Sequence, residues 1–303
     1  LADVPEGGWS DDYKITKLVF RRVPAGTYQM GDAREVYYGF LGGQTTANNK
    51  IATAQLIHSV TLTGEYYFQI FPVTNAQFDH WRNPSSTNND KKYTSTSLPY
   101  SAMRGSTNAQ GVVIDWPTTG YKVGESSFCA QLRTLSKAAG QEELLIDLST
   151  EAQYEVAMRA GTTTIWPNGG VIGDTPAMIT NYIREISWTQ ALDGFKPNLK
   201  DVGLKAPNRW GVYDFNTLST PVLDWANDNE SGDLQSLVDA VDPIGPYSSA
   251  TGKRIQHGAE NNGNSYNPAG WTMAIRGKID PATATLYRPL RFAIHLKPLV
   301  NIQ

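Results

Sequence analysis

A chain of 303 residues with 40% hydrophobic and 18% charged residues can bury a core, which excludes a disordered polyelectrolyte. Its net charge of -3 and pI ≈ 5.8 provide no basic footprint for nucleic acid. No apolar run approaches the roughly 20 residues needed to cross a bilayer, and residues 1–12 (LADVPEGGWSDD) lack the charged and apolar regions of a signal peptide.

Taken in chain order, residues 17–31 (KLVFRRVPAGTYQMG) read as a strand, a turn and a second short strand. The Gly/Asn/Thr-rich stretch 32–55 reads as a surface loop, and 56–72 (LIHSVTLTGEYYFQIFP) as a strand pair. Thr74 is placed to cap a helix in which Phe78 and Trp81 form an i,i+3 apolar pair. Residues 84–122 are Ser/Thr/Asn/Pro-rich and read as a long irregular excursion. A helix is expected over 124–139, with Phe128, Leu132, Leu135 and Ala139 on one face and Gly140 as its stop. The single cysteine, Cys129, sits in it and reads as a buried apolar thiol; it permits no intramolecular disulfide. A second helix is expected over 149–160, opened by a Thr150–Gln153 capping box, carrying a Glu155–Arg159 i,i+4 pair and stopped at Gly161. From 162 onward Gly, Pro and Asn punctuate the chain, so short strands and loops are expected there, with LRFAIHL (290–296) the clearest strand. The expected class is α+β, one domain over 1–303 with its core at about 17–296.

Several segments resemble, in order, the motifs of the formylglycine-generating enzyme, or sulfatase-modifying factor, family. They are VPAGTYQMGD (23–32), FPVTNAQFDHW (71–81), LIDLSTEAQYEVAMRAG (145–161) and KDVGLKAPNRWGVYDF (200–215). A weaker match covers RIQHGAE (254–260) and residues 273–296, with Arg276, Pro281, Arg291 and Phe292 in register. The resemblance implies a C-type-lectin-like fold: small twisted antiparallel sheets, two to three helices and many ordered loops. A fold does not by itself carry an activity.

The catalytic members of that family bind copper through two cysteines, and copper(I) favours soft thiolates. Alignment on Ala274 and Arg276 puts Pro268 and Met273 at those places, and neither supplies a thiolate. The histidines, His58, His80, His257 and His295, show no i,i+3 or i,i+4 spacing that would mark a metal site. No GxSxG elbow or P-loop is present. The family's structural calcium loop is disrupted here in YDFNTLSTPVLDW (213–225), although Asp224 and Trp225 keep part of its pattern, and Asn181 resembles an Asn of a second metal loop but also fits an ordinary turn. The expectation is therefore a non-enzymatic protein without a cofactor, structural calcium being in doubt.

Residues 257–289 (HGAENNGNSYNPAGWTMAIRGKIDPATATLYRP) are rich in Asn, Ser, Tyr, Gly and Trp, the composition of adaptable binding loops. The resemblance adds that diversity-generating retroelements use this fold for diversified ligand-binding proteins, whose variable region is the C-terminal segment. The candidate contact residues are Glu260, Asn262, Asn264, Tyr266, Asn267, Trp271, Lys278, Asp280, Thr285 and Tyr287, expected on one exposed face. The expected partner is a protein or a carbohydrate, at a cell surface, in secretion or on a virion. Two alternatives stay open: a metal-dependent oxidoreductase or sulfatase-modifying-type enzyme with a divergent site, and a structural or adhesive surface or phage protein.

Overall fold

The computed structural model describes residues 4–32, 57–92, 127–140, 142, 144–171, 173–194, 200–215, 220–225, 240–244, 254–258, 268–279 and 290–297. Strands β1 (Phe20–Val23), β4 (Tyr66–Gln69), β10 (Phe292–His295) and β5 (Leu145–Leu148) form one sheet in the order β1-β4-β10-β5. Strands β2 (Gly26–Met30), β3 (His58–Leu62) and β7 (Ala240–Val241) form a second, and β6 (Thr220–Trp225), β8 (Arg254–His257) and β9 (Arg276–Ile279) a third in the order β6-β8-β9. Among the described residues all strand pairings are antiparallel except β3 with β7, which is parallel. The two strand pairs legible in the sequence do not remain together. Each splits between sheets, because β1 pairs with β4 and β2 with β3.

Among the described residues the helices are α1 (Asp12–Ile15), α2 (Asn75–Arg82), α3 (Phe128–Ala138), α4 (Glu151–Arg159), α5 (Pro176–Ile186) and α6 (Gln190–Asp193). The class is α+β and the fold is C-type-lectin-like. Helix α4 occupies the centre: all nine of its residues are buried, and it packs on β2 and β6. Its start is a complete capping box. Thr150 accepts from the Gln153 N–H, and the Gln153 side chain accepts from the Thr150 N–H. Its end turns through left-handed Ala160 (φ 51) and Gly161 (φ 79). Helix α2 opens on the same kind of box, Thr74 with Gln77, and buries Phe78, with Trp81 at 5.3 Å from Phe128.

Two expectations need correction. Helix α3 keeps Phe128, Cys129 and Leu132 inside, but Leu135 is 46% exposed and Ala139 is exposed, so its apolar face ends after two turns. A helix was not expected beyond 162, yet α5 runs for 11 residues. Thr175 caps it, Pro176 opens it, and Ile179, Ile183 and Ile186 form its buried stripe. Asn181 lies within this helix and is exposed, rather than in a turn or a metal loop.

Candidate functional site

Antiparallel pairing of β8 with β9 places His257 opposite Arg276, so the connection 258–275 leaves and returns at this one end of the third sheet. Glu151, the first residue of α4, faces the same point. Arg276 donates to it twice, Nε to Oε1 at 2.7 Å and Nη2 to Oε2 at 2.6 Å. His257 Nε2 lies 2.8 Å from Glu151 Oε1, and since a carboxylate only accepts, this nitrogen carries the proton. The imidazole lies against Tyr154 at 5.1 Å, is 0% exposed, and its Nδ1 has no partner among the described residues. Burial alone would raise the Glu151 carboxyl. The Arg276 charge and the His257 hydrogen bond outweigh it and hold the group down to about 2. The result is a charge-compensated ionic clamp, almost closed to water, at the base of the 258–275 connection.

A second buried ionic group lies one and two turns further along α4. Glu155 Oε1 accepts from the Gly31 N–H at 2.8 Å and from Arg159 Nε at 2.7 Å. Arg159 Nη2 donates to the Gly31 carbonyl at 2.7 Å and to Asp32 Oδ1 at 3.1 Å, and Nη1 to the Thr164 carbonyl at 3.2 Å. The Glu155–Arg159 pair legible in the sequence is thus no surface pair; both residues are at most 1% exposed. The Asp32 carboxylate also accepts from the Ala274 N–H, which ties the end of 268–275 to the end of β2. Burial pushes the Asp32 carboxyl up to about 6. Arg159 opposes this shift and Glu155 adds to it.

Of the expected contact residues, Trp271 is placed in the core rather than on an exposed face. It ends a 3-10 turn (Pro268–Trp271), is 4% exposed and belongs to the main apolar cluster. Lys278 is the third residue of β9, paired with Ile255. Glu260, Asn262, Asn264, Tyr266, Asn267, Asp280, Thr285 and Tyr287 lie outside the described residues. Residues 258–275 leave from the Arg276 end of β9, and 280–289 leave from its Ile279 end. At about 3.3 Å per step, those ends are about 10 Å apart. Neither ionic group was recognised from the sequence. Arg276 was marked only by the resemblance, and nothing local links it to Glu151, 125 residues away. The one available signal was the density of charge in TEAQYEVAMR, too high for a helix this central.

The places that hold copper-binding cysteines in catalytic relatives do not fit a metal. Pro268 has no donor side chain, and Met273 is 1% exposed inside the core. Among the described residues no group of three or more His, Cys, Asp or Glu side chains is arranged to hold a metal ion. Also among them, no helix is long and apolar enough to cross a membrane.

Three small sheets arranged around a central capped helix define a C-type-lectin-like domain. The chain belongs to the family of the sulfatase-modifying factor enzyme 1-like domain, whose model matches residues 14–281. Among solved structures it is similar to PvdO from Pseudomonas aeruginosa, with TM-score 0.58 and 18% identity over 95% of this chain and 97% of that one. It is equally similar to Treponema denticola variable protein 1, with TM-score 0.57 and 18% identity over 92% and 95%. A comparison with curated proteins finds no match.

Proposed function

We propose that this chain is a non-catalytic ligand-binding member of its family, and that ligand is contacted by residues of 258–267 and 280–289. The observation that carries the reading is the replacement of the thiol pair by Pro268 and by Met273, the latter 1% exposed. Around that loss the scaffold is kept: the Glu151–His257–Arg276 clamp fixes the base of one connection, and β9 joins it to the other. Variable loops on a fixed frame are how recognition is built without chemistry. The similarity to a variable protein supports a finer reading, a diversified protein of a diversity-generating retroelement.

Two experiments test this. The purified protein is loaded with copper, analysed for bound metal and assayed for oxidation of a cysteine-containing peptide; stoichiometric copper with turnover would return the chain to the enzymes. Binding is screened on glycan and surface-protein arrays, with Asn262→Ala, Tyr266→Ala and Tyr287→Ala variants alongside. Loss of binding at an unchanged unfolding midpoint supports the reading, and binding that survives all three overturns the site. A reverse-transcriptase gene with a near-identical repeat of the sequence encoding 257–289 beside this gene is expected for the retroelement reading, and its absence refutes it.

A further inference from the structure

Arg21 is a half-buried cation that the fold leaves without a counter-charge. It lies on β1 opposite Phe68, and among the described residues its guanidinium makes neither an ion pair nor a hydrogen bond. Its Nε is closed to water and has no acceptor, so the Nη edge is the part of the fork that a ligand can reach. Arg22, the next residue, turns to the other face of the strand and is held by Glu65. The 208–211 turn faces Arg21. A Cβ on Gly211 would stand 3.3 Å from Arg21 Nη2 and 4.0 Å from Nε, so the missing side chain leaves this flank of the guanidinium open.

The turn itself is rigid. Asn208 Nδ2 donates to the Ala157 and Met158 carbonyls at 2.8 and 2.9 Å, and its Oδ1 accepts from the Trp210 and Val212 N–H groups, each at 3.0 Å. The Gly211 N–H donates to the Asn208 carbonyl at 2.9 Å. Trp210 and Tyr28 are half-buried rings that meet edge to face, with centroids 6.2 Å apart. Arg209, exposed on the same turn, also has no ion pair among the described residues. The Tyr213 phenol feels the local charge: burial raises it, and Arg21 is among the groups that oppose the rise.

We propose that Arg21 and the 208–211 turn form an anion site, built from residues other than those of 258–267 and 280–289, that takes a carboxylate carried on a small ring, as in an acidic sugar. A guanidinium grips a carboxylate through two parallel N–H···O bonds. One half-buried positive charge is balanced by one negative charge, which favours a carboxylate over a phosphate dianion. Trp210 and Tyr28 supply apolar surface beside the charge for the body of the ligand. Because Asn208 already fixes the turn, little order is lost on binding.

The test is an amide NMR titration of the full chain, with glucuronate, glucose and inorganic phosphate as probes. Glucuronate should give saturable shifts of the Gly211 amide and the Trp210 indole, glucose none, and phosphate weaker binding. Arg21→Gln should abolish the effect, and Arg21→Lys, which keeps the charge but loses the fork, should weaken it about tenfold or more. Arg21 has no partner to lose among the described residues, so both variants should unfold in urea at the wild-type midpoint. Should either fold poorly, Arg209→Gln removes an exposed charge from the same turn and should bring a smaller loss of affinity. No saturable shift, equal shifts with glucose and glucuronate, tighter binding of phosphate, or affinity undiminished in both Arg21 variants overturns the proposal. Asn262→Ala and Tyr287→Ala should leave glucuronate binding unchanged, and a loss in either would move the site to those segments. The two binding surfaces are thus tested separately, and the failure of one leaves the other standing.

Discussion

Replacing Glu151 by Gln tests the clamp under the candidate binding segment most directly. In the folded protein the carboxyl is held down from 4.5 to about 2. At about 1.36 kcal/mol per unit, that difference contributes on the order of 3 kcal/mol at neutral pH. Because the folded value is depressed, the contribution is present in full above 4.5 and is lost as pH falls toward 2. Mutation reads a related quantity. Glu151→Gln leaves the Arg276 side chain, 12% exposed, without its counter-charge, a change that costs about 3–5 kcal/mol in buried pairs. It also turns an amide N–H₂ toward Arg276 or His257, both of which donate to this position. Urea unfolding followed by tryptophan fluorescence, from pH 7 down to pH 2, should show E151Q less stable by about 3 kcal/mol at pH 7, with the gap closing below 4.5. A gap under about 1 kcal/mol at pH 7, or one constant from pH 4.5 to 2, would refute the ionic account of the clamp.

Other positions give independent checks. A Cβ on Gly203 would meet Phe71 Cε1 at 2.4 Å in a backbone at φ +71, so Gly203→Ala should cost about 2 kcal/mol or more in chemical unfolding. Thr150→Ala removes the α4 cap and should cost about 1 kcal/mol, with Thr150→Ser close to wild type by the same measurement. Trp271→Ala should lower the unfolding free energy by about 3–5 kcal/mol, as for a core anchor; an undiminished midpoint with lost ligand would instead place Trp271 in the binding surface.

What could be read from the sequence was what is local in it. The Thr150–Gln153 box, the Thr74 cap and the buried Cys129 each depend on neighbours within a helical turn, and each is found as expected. Helix α5 was equally local but was not expected, because Gly, Pro and Asn punctuate the chain from 162 onward; yet Thr175-Pro176 is a cap followed by a proline at the first helical position, and Ile179, Ile183 and Ile186 repeat at helical spacing. The segregation of β1 from β2 was not legible, since alternation shows that a strand exists but not its partner. The ionic groups were hidden for the same reason: Glu155 and Arg159 look like a solvated pair until Gly31 and Asp32, more than 120 residues earlier, close over them. The candidate contact residues divide similarly. Composition singled out 257–289, but only the β8–β9 register shows that its two halves leave opposite ends of one strand.

The two ionic groups grip the same stretch of chain two residues apart, one at Ala274 and one at Arg276, and they respond to pH in opposite directions. Glu151 loses its contribution as pH falls below 4.5, whereas Asp32 loses its own as pH rises above 3.8. The shifts are of similar size, to about 2 in one case and about 6 in the other, so the pair makes the frame most stable near pH 4 and weakens it by a comparable amount on either side. Difference profiles against the wild type isolate each arm, because all other titrating groups cancel. Asp32→Asn should gain stability relative to the wild type as pH rises from 4 toward 7, and Glu151→Gln should recover relative to the wild type as pH falls from 4.5 to 2. If the Asp32→Asn difference is flat across that range, the buried charge is compensated elsewhere and the alkaline arm does not exist. If both arms appear, the stretch 274–276, which lies between the two segments proposed to contact ligand, is held by two oppositely titrating groups.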